Sequence, residues 1–358
     1  MEKLKAAVIG TGSISPNHLR NYVNSPYTEL YALCDLNRDR ALAKAAEFGV
    51  PEERVFTDKD EMFRALPEID LVSVCTWNSA HAECAIAALN AGKHVLCEKP
   101  MAINAAQALE MQAAAEKNGK LLMIGFVRRH EENMKVLQDF VNTDFFGDIY
   151  YAKATQIRRN GHPGGWFGDK SRSGGGPLID LGVHVIDFVR YLKGNPKAVS
   201  VYGATYQKLF DRANIKTAKG YIAARDNSQD KPPVDVEDMV TALVRFEDGS
   251  TLSVETSFSL NGEPKGGIEL FGTKAGAHLA DDGLHLYAEM NDRLVNIDHA
   301  DVKGQDFDQM FRDEVYHFID CVRGGTKCIA PAEDGVELMR ILDAIYESAA
   351  TGHEVILK

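Results

Sequence analysis

At 358 residues the chain is long enough for two domains, each with its own core. Its net charge of −12, unbroken by any basic run, argues against nucleic acid or an anionic membrane surface as partner. No apolar stretch approaches the roughly 20 residues needed to span a bilayer.

The first third of the chain alternates short apolar runs with helical patterns. Strands are predicted at 4–9, 30–34, 54–56, 71–76, 94–97 and 121–124. Helices are predicted at 16–24, 39–48, 80–91 and 105–117, rich in Ala, Leu and Glu. Continuously apolar strands alternating with helices imply a parallel sheet covered on both faces, with right-handed crossovers.

After Gly125 the texture changes. A helix at 131–141 and a strand at 149–157 precede a loop rich in Gly, Pro and Arg at 158–177, then a helix at 178–192. Further strands are expected at 198–206, 239–246, 251–259 and 267–271, with Glu247-Asp248-Gly249 as a hairpin signal. Mostly adjacent strands suggest an α+β domain, an antiparallel sheet with helices on one face. Residues 207–236 are polar and end in Pro232-Pro233; they read as a long loop or short helical insertion, a candidate lid or subunit contact. Two amphipathic helices, 306–322 and 332–350, close the chain. The fold class is therefore α/β, with an N-terminal doubly wound domain at 1–126 and a C-terminal α+β domain at 127–358.

The six cysteines (Cys34, Cys75, Cys84, Cys97, Cys321, Cys328) form no CxxC pair and mostly lie in apolar runs, as buried thiols in a reducing compartment do. The N-terminus enters the first strand without a signal-peptide pattern, so a cytoplasmic location is expected.

The turn Gly10-Thr11-Gly12-Ser13-Ile14-Ser15 follows the first strand and precedes Pro16 and a helix. Gly10 permits a tight turn, Gly12 leaves no Cβ between backbone and phosphate, and the first helical N–H groups point at the anion. Ser15 stands where a third Gly is usual and is expected to cap the helix. Asp35 closes the second apolar run twenty positions after Ser15. A carboxylate there accepts from the adenine-ribose hydroxyls and repels a 2′-phosphate, so NAD is expected rather than NADP. Gly10, Thr11, Gly12, Ser13, Ile14, Asp35 and Arg40 are assigned to the cofactor.

Three further segments carry chemistry. Cys97-Glu98-Lys99-Pro100 ends a parallel strand, where open α/β sheets bind ligands. A Lys99 partly desolvated beside a cationic ring would hydrogen-bond a substrate hydroxyl and favour its alkoxide. Asp180 and His184, spaced i, i+4 after a Gly174-Gly175-Gly176 run, share one helix face; a His oriented by a carboxylate suits removal of a hydroxyl proton. Thr76, Trp77, Asn78 and His81 end the fourth strand, as cofactor contacts or as ordinary crevice packing. Arg158, Arg159, His162 and Trp166 form a polar-aromatic loop of the kind that binds sugars, or one that merely covers a sheet edge. There is no HExxH and no Cys/His spacing that supplies a third ligand, so no metal is expected.

These residues resemble the Gfo/Idh/MocA oxidoreductases. The likeness is carried by Gly10-Thr11-Gly12, Asp35, the run from Ala87 to Pro100 with its Glu98-Lys99-Pro100, and Asp180-Leu181-Gly182-Val183-His184. It covers essentially the whole chain. The resemblance implies a Rossmann domain followed by an α+β domain whose large open sheet serves homo-oligomerisation. It also implies a catalytic Lys99, Asp180 and His184; beside it, the reading of the residues assigns Glu98 and Lys99 to the cofactor and Lys99, Arg158, His162, Trp166, Asp180 and His184 to the substrate. Thr76-Trp77-Asn78 is similar to the inositol dehydrogenase branch, whereas 158–166 and 207–236 depart from it. The function implied is NAD-dependent oxidation of a secondary hydroxyl of a sugar, sugar derivative or cyclitol. The alternatives within the family are an NAD-dependent redox-assisted glycosidase and a non-catalytic NAD- or sugar-sensing regulator; Lys99 and His184 speak against the latter.

Overall fold

A computed structural model of the chain describes residues 3–209, 212, 234–280, 283–298 and 306–357. In chain order its strands and α-helices are β1 (Leu4–Ile9), α1 (Ser15–Asn24), β2 (Thr28–Cys34), α2 (Arg38–Phe48), β3 (Val55–Phe56), α3 (Lys59–Ala65), β4 (Leu71–Val74), α4 (His81–Asn90), β5 (His94–Glu98), α5 (Ala105–Asn118) and β6 (Leu122–Gly125). There follow α6 (Glu132–Asn142), β7 (Ile149–Ile157), α7 (Lys170–Ser173), α8 (Val183–Leu192), β8 (Ala198–Tyr206), β9 (Met239–Phe246), β10 (Thr251–Ser257), β11 (Lys265–Gly272) and β12 (Ala275–Ala280). The last are β13 (Gly283–Met290), β14 (Arg293–Asp298), α9 (Phe307–Val322), α10 (Ala332–Thr351) and β15 (Val355–Ile356).

Contacts divide the chain into two units: Met1–Val127 with Phe307–Met339, and Arg128–Asp306 with Arg340–Lys358. The first unit holds six parallel strands in the order β3-β2-β1-β4-β5-β6, the doubly wound arrangement read from the sequence. Ala6 to Ile9 of β1 are buried, as a strand covered on both faces requires. The chain reverses between β1 and β4, and the carboxyl ends of β1, β4 and β5 lie side by side, with Ile9 opposite Val74 and Val74 opposite Cys97. α2 starts on Asn37, which accepts from the Arg40 amide, and ends on Gly49 in the left-handed region. The short α3 is absent from the sequence reading, although Asp58 caps it through the Glu61 amide; seven residues are too few to show a helical period.

The second unit holds nine strands in the order β14-β13-β12-β11-β7-β10-β9-β8-β15. All pairs are antiparallel except β7 with β10. The Glu247–Gly249 turn joins β9 to β10 as expected. β12, β13 and β14 extend the sheet beyond the strands read from the sequence. β13 and β14 are joined by Asn291 and Asp292, both with positive φ (54° and 60°), the geometry of a two-residue hairpin loop.

α8 packs against β7 and β11. Residues alternate along β9 and β12, buried towards the helices and half-buried or exposed on the other face. That other face carries a cross-strand row: Tyr202, Leu243, Ser253, Lys153, Glu269, His278 and His285. Most of the segment 207–236, read as an insertion, lies outside the described residues. Among the described residues no helix is long and apolar enough to cross a membrane and no disulfide joins the cysteines.

Candidate functional site

The turn after β1 is held by a backbone that only glycine tolerates at one point. Gly10 has φ +88°, and a Cβ there would lie 2.7 Å from the Cys75 backbone. A Cβ at Gly12 would instead meet nothing within 4 Å, so the space over the turn is open, as a pyrophosphate needs. Ile14 precedes α1 in a helical conformation and no side chain caps the helix; in its first turn Pro16 carries no N–H and the Asn17 amide donates to the Ile14 carbonyl at 3.1 Å. Ser15 therefore does not cap, contrary to the sequence reading. Already inside the helix and fully buried, it donates its hydroxyl to the Gly12 carbonyl at 2.8 Å and ties the turn to the helix. Ile14 packs against Val127, Met310 and Phe311, so it serves the turn through its backbone. Ser13 is exposed.

Asp35 at the end of β2 is 5% exposed and makes five hydrogen bonds. Oδ2 accepts from the Thr11 amide (2.7 Å), the Thr11 hydroxyl (2.9 Å) and Arg40 Nε (3.2 Å). Oδ1 accepts from the Asn37 amide (2.8 Å) and Arg40 Nη2 (2.7 Å). Burial alone would raise its pKa; the Arg40 guanidinium and the two amides outweigh it and hold the carboxyl below the usual carboxylate range. Asp35 is thus ionised beside the turn, and Arg40 is the partly exposed partner a ribose would compete with. The open cradle, the uncapped helix and the ionised carboxylate together fit a dinucleotide without a 2′-phosphate.

At the ends of β4 and β5 the structure separates candidate ligand groups from supports. Thr76 and Trp77 are half-buried and Asn78 is buried in the turn that leads to α4. The His81 ring is buried between two backbone carbonyls, Nδ1 at 2.7 Å from Pro100 O and Nε2 at 3.2 Å from Thr76 O. Burial lowers its pKa against the pull of the Pro100 carbonyl. It ties the two loops together, which accords with packing, one of the two readings the sequence left open. Glu98, read as a cofactor contact, needs correction. Its carboxylate turns inward to His18 Nε2 at 2.8 Å and accepts the Lys99 amide at 3.3 Å. Lys99 itself is half-buried at the strand end, and the Lys99–Pro100 bond is cis.

In the second unit the sequence predicts one α-helix from 178 to 192. The structure has a π-helical turn, Leu178–Gly182, followed by α8, a feature frequent at functional sites. From Gly175 to Arg190 every residue is buried except Asp180 and His184. The apolar side chains fill the core and these two polar groups line its edge. The turn is clamped from within: Glu237 accepts from the Gly176 amide on both oxygens (3.0 Å each), from the Leu178 amide (3.3 Å) and from the Tyr346 hydroxyl (2.9 Å). Burial raises the pKa of Glu237 while these donors pull it back. A Cβ at Gly176 would lie 2.2 Å from the Glu237 carbonyl oxygen, and one at Gly175 2.0 Å from the Tyr346 hydroxyl, which explains the glycine run. Nothing in the sequence pairs Glu237 with Gly176, 61 residues away.

Arg158 is half-buried and continues the β7–β10 pairing through its amide to Ser257. His162 is half-buried and accepts the Gly164 amide on Nδ1 at 3.1 Å; Trp166 stacks on Phe167 with centroids 4.2 Å apart. Two groups that sequence spacing did not reveal bring three metal-ligating side chains together: His317 with Cys321 and Cys328, and His18 with Glu98 and Glu314. His317 Nε2 already accepts the Ile329 amide at 3.1 Å.

Two family models match the chain. Residues 4–126 match the GFO/IDH/MocA oxidoreductase family with its NAD-binding Rossmann fold, and residues 134–278 match the GFO/IDH/MocA C-terminal domain. The chain is 35% identical to D-glucoside 3-dehydrogenase of Escherichia coli (strain K12), over 98% of its own length and 97% of the relative's. It is 29% identical to levoglucosan dehydrogenase of Pseudarthrobacter phenanthrenivorans, over 73% of this chain and 69% of the relative. Among solved structures, levoglucosan dehydrogenase in complex with NADH superposes with a TM-score of 0.82 at 25% identity, covering the whole of both chains. The chain belongs to the Gfo/Idh/MocA family of NAD-binding oxidoreductases.

Proposed function

We propose that this protein oxidises a secondary ring hydroxyl of a pyranose sugar, with D-glucosides oxidised at C3 as the first candidate. The observation that carries the chemistry is the isolation of Asp180 and His184 as the two half-buried side chains of an otherwise buried stretch. The substrate class is supported by end-to-end similarity to a glucoside dehydrogenase. NAD, bound over the β1–α1 turn, supplies the hydride acceptor. His184 takes the hydroxyl proton on a ring nitrogen, and Asp180 orients the imidazole and the substrate. Lys99 stabilises the alkoxide that develops, an electrostatic term of about 3 kcal/mol or more in preorganised sites. Arg158, His162 and Trp166 serve as sugar contacts through hydrogen bonds and ring stacking.

Residues 1–126 hold the cofactor in this reading, and 127–358 hold the substrate and the subunit contact. The open sheet row with Tyr202 and Leu243 is the surface for homo-oligomerisation, supported by their exposure of 53% and 48%. The location proposed is the cytoplasm, in keeping with cysteines that form no disulfide among the described residues.

The test is a panel of methyl glucosides, levoglucosan, aldoses and inositols with NAD and with NADP, followed by the absorbance of the reduced cofactor. A glucoside with NAD is expected to turn over fastest. No turnover with any polyhydroxylated substrate overturns the reading. Hydrolysis of a chromogenic glucoside without net NADH would replace it with the redox-assisted glycosidase.

A further inference from the structure

Outside the site assigned to hydride transfer, two thiols and an imidazole meet within the first unit. His317 and Cys321 lie four residues apart on α9, so both project from one face of its last turns. α9 ends at Val322, and Gly324, in the left-handed region with φ +76°, turns the chain back along the helix. The Gly324 amide donates to Cys321 O at 3.1 Å and the Gly325 amide to Asp320 O at 2.8 Å, which fixes that reversal. Beyond it the chain is pinned to β6, where the Ile124 amide donates to Ala330 O at 2.9 Å and Met123 pairs with Pro331. Cys328, between the two anchors, is held beside the helix. One ring nitrogen of His317 and the two Sγ atoms lie within 4.8 Å of one another, and all three residues are half-buried.

Cys321 Sγ lies 3.4 Å from His317 Nε2, and the two thiols are hydrogen-bonded to each other. The Ile329 amide donates to His317 Nε2 at 3.1 Å, which selects the tautomer with a bare Nε2 next to the Cys321 sulfur. A tetrahedral zinc ion, with Zn–S of about 2.3 Å and Zn–N of about 2.0–2.1 Å, holds S and N about 3.5 Å apart and two sulfurs about 3.8 Å apart. The 3.4 Å observed is close to that separation, and the 4.8 Å bound leaves the rest to a small rotation of the Cys328 thiol. Magnesium and calcium prefer oxygen ligands, so two thiols and an imidazole select a thiophilic ion. Among the described residues no fourth His, Cys, Asp or Glu joins the group, and its half-buried setting leaves the fourth position to water.

We propose that His317, Cys321 and Cys328 form a zinc-binding site that fastens the 323–331 segment to α9. Binding removes one proton from each thiol and none from the imidazole, so Zn²⁺ is held by two thiolates and a neutral ring, and two protons pass to the solvent. The charge of the ion is cancelled within the site. The ion takes the Nε2 lone pair from the Ile329 amide; Ile329 is half-buried, and water receives the freed N–H. Both arms of the site are fixed before the ion arrives, His317 and Cys321 by the helix and Cys328 by the Gly324 turn and the β6 anchor, so little ordering opposes binding. An ion held by the folded chain alone stabilises it. The proposal departs from the sequence expectation of no metal because the third ligand returns across a glycine turn, and His-x3-Cys-x6-Cys is not the paired spacing of the common zinc motifs. The site draws on no part of the sugar-oxidation reading.

The test uses full-length protein purified under reductant, stripped with a chelator and dialysed against zinc or cobalt(II) chloride. One zinc per chain is expected by metal analysis, and cobalt in its place should give thiolate-to-cobalt charge-transfer absorption. Cys321→Ser, Cys328→Ser and His317→Gln should each weaken binding by more than the roughly 10–100-fold that loss of a ligand's supporting partner costs. Cys84→Ala, a thiol outside the group, should bind as wild type does. Zinc should raise the unfolding midpoint of wild type and leave that of Cys321→Ser in place. Alkylation mapped by peptide mass needs no variant: zinc should protect Cys321 and Cys328 of wild type. No stoichiometric uptake, no charge-transfer band, or equal alkylation of Cys321 and Cys328 with and without zinc overturns the site. So does uptake that persists unchanged in all three ligand variants, which places the ion elsewhere.

Discussion

Two helix starts in this molecule are put to opposite uses. α1 begins on Ile14 without a side-chain cap, below a glycine whose Cβ would meet open space, so this helix start is open to an anion brought from solution. The π-helical turn before α8 begins with equally available amides, but Glu237 from the protein's own interior takes those of Gly176 and Leu178. An internal carboxylate closes the second site to phosphate, and in the proposed reading its chemistry falls to side chains, Asp180 and His184. The same backbone dipole binds a ligand in one unit and locks a scaffold in the other, and the location of the carboxylate decides which.

That contrast can be broken from either side. The largest effect is expected for Lys99→Ala, which should lower kcat by about 10²–10⁴-fold with NAD affinity retained, measured by steady-state rates and equilibrium binding. Equal loss of NAD affinity would place Lys99 with the cofactor alone. His184→Asn should lower kcat by about 10²-fold or more and abolish the acidic limb of the rate profile; a surviving limb means another group titrates. Gly10→Ala attacks the open helix start: strain at φ +88° and a clash with Cys75 should cost roughly 1–3 kcal/mol and weaken NAD binding, read by calorimetry.

Glu237→Ala attacks the closed start. It leaves two buried amides unsatisfied, a cost of about 1–3 kcal/mol in thermal unfolding, and should lower kcat without changing NAD affinity. Weakened NAD binding in this variant would erase the distinction between the two starts. The smallest effect belongs to Asp35→Asn, which should shift cofactor preference towards NADP by roughly tenfold, about 1.4 kcal/mol. It should also remove an acid sensitivity. The folded pKa of Asp35 is lowered, so its stabilisation is present above the unfolded value of about 3.9 and is lost as pH falls through the folded one. Wild type and variant are therefore expected to converge in stability in acid.

The nucleotide turn was legible because its chemistry lies in contiguous residues and in one carboxylate at a set distance along the chain. Gly10 and Asp35 stand at the turn their spacing implies, and the parallel sheet was legible from alternation. Ser15 was misread because capping depends on where the helix starts, and Ile14 takes that place. Glu98 was read as a cofactor contact and His81 as contact or packing because position along a strand does not say which way a side chain turns; both turn inward to partners distant in sequence. Glu237 was not singled out. It acts through Gly176, Leu178 and Tyr346, which only tertiary packing brings to it, and it leaves no periodic or local signal. β13 and β14 did carry one, the Asn291-Asp292 turn, within a stretch whose alternation is diluted by His and Gly.

The central claim is that a ring carbon of a sugar gives up its hydrogen to NAD while this chain's side chains manage the proton. Methyl glucoside deuterated at C3, incubated with NAD and the enzyme, tests it most directly by mass analysis of the recovered cofactor. One deuterium in the reduced cofactor and a ketone at C3 of the sugar is the predicted result. Reduced cofactor free of deuterium across glucosides labelled at each secondary ring carbon, or none formed at all, would contradict it.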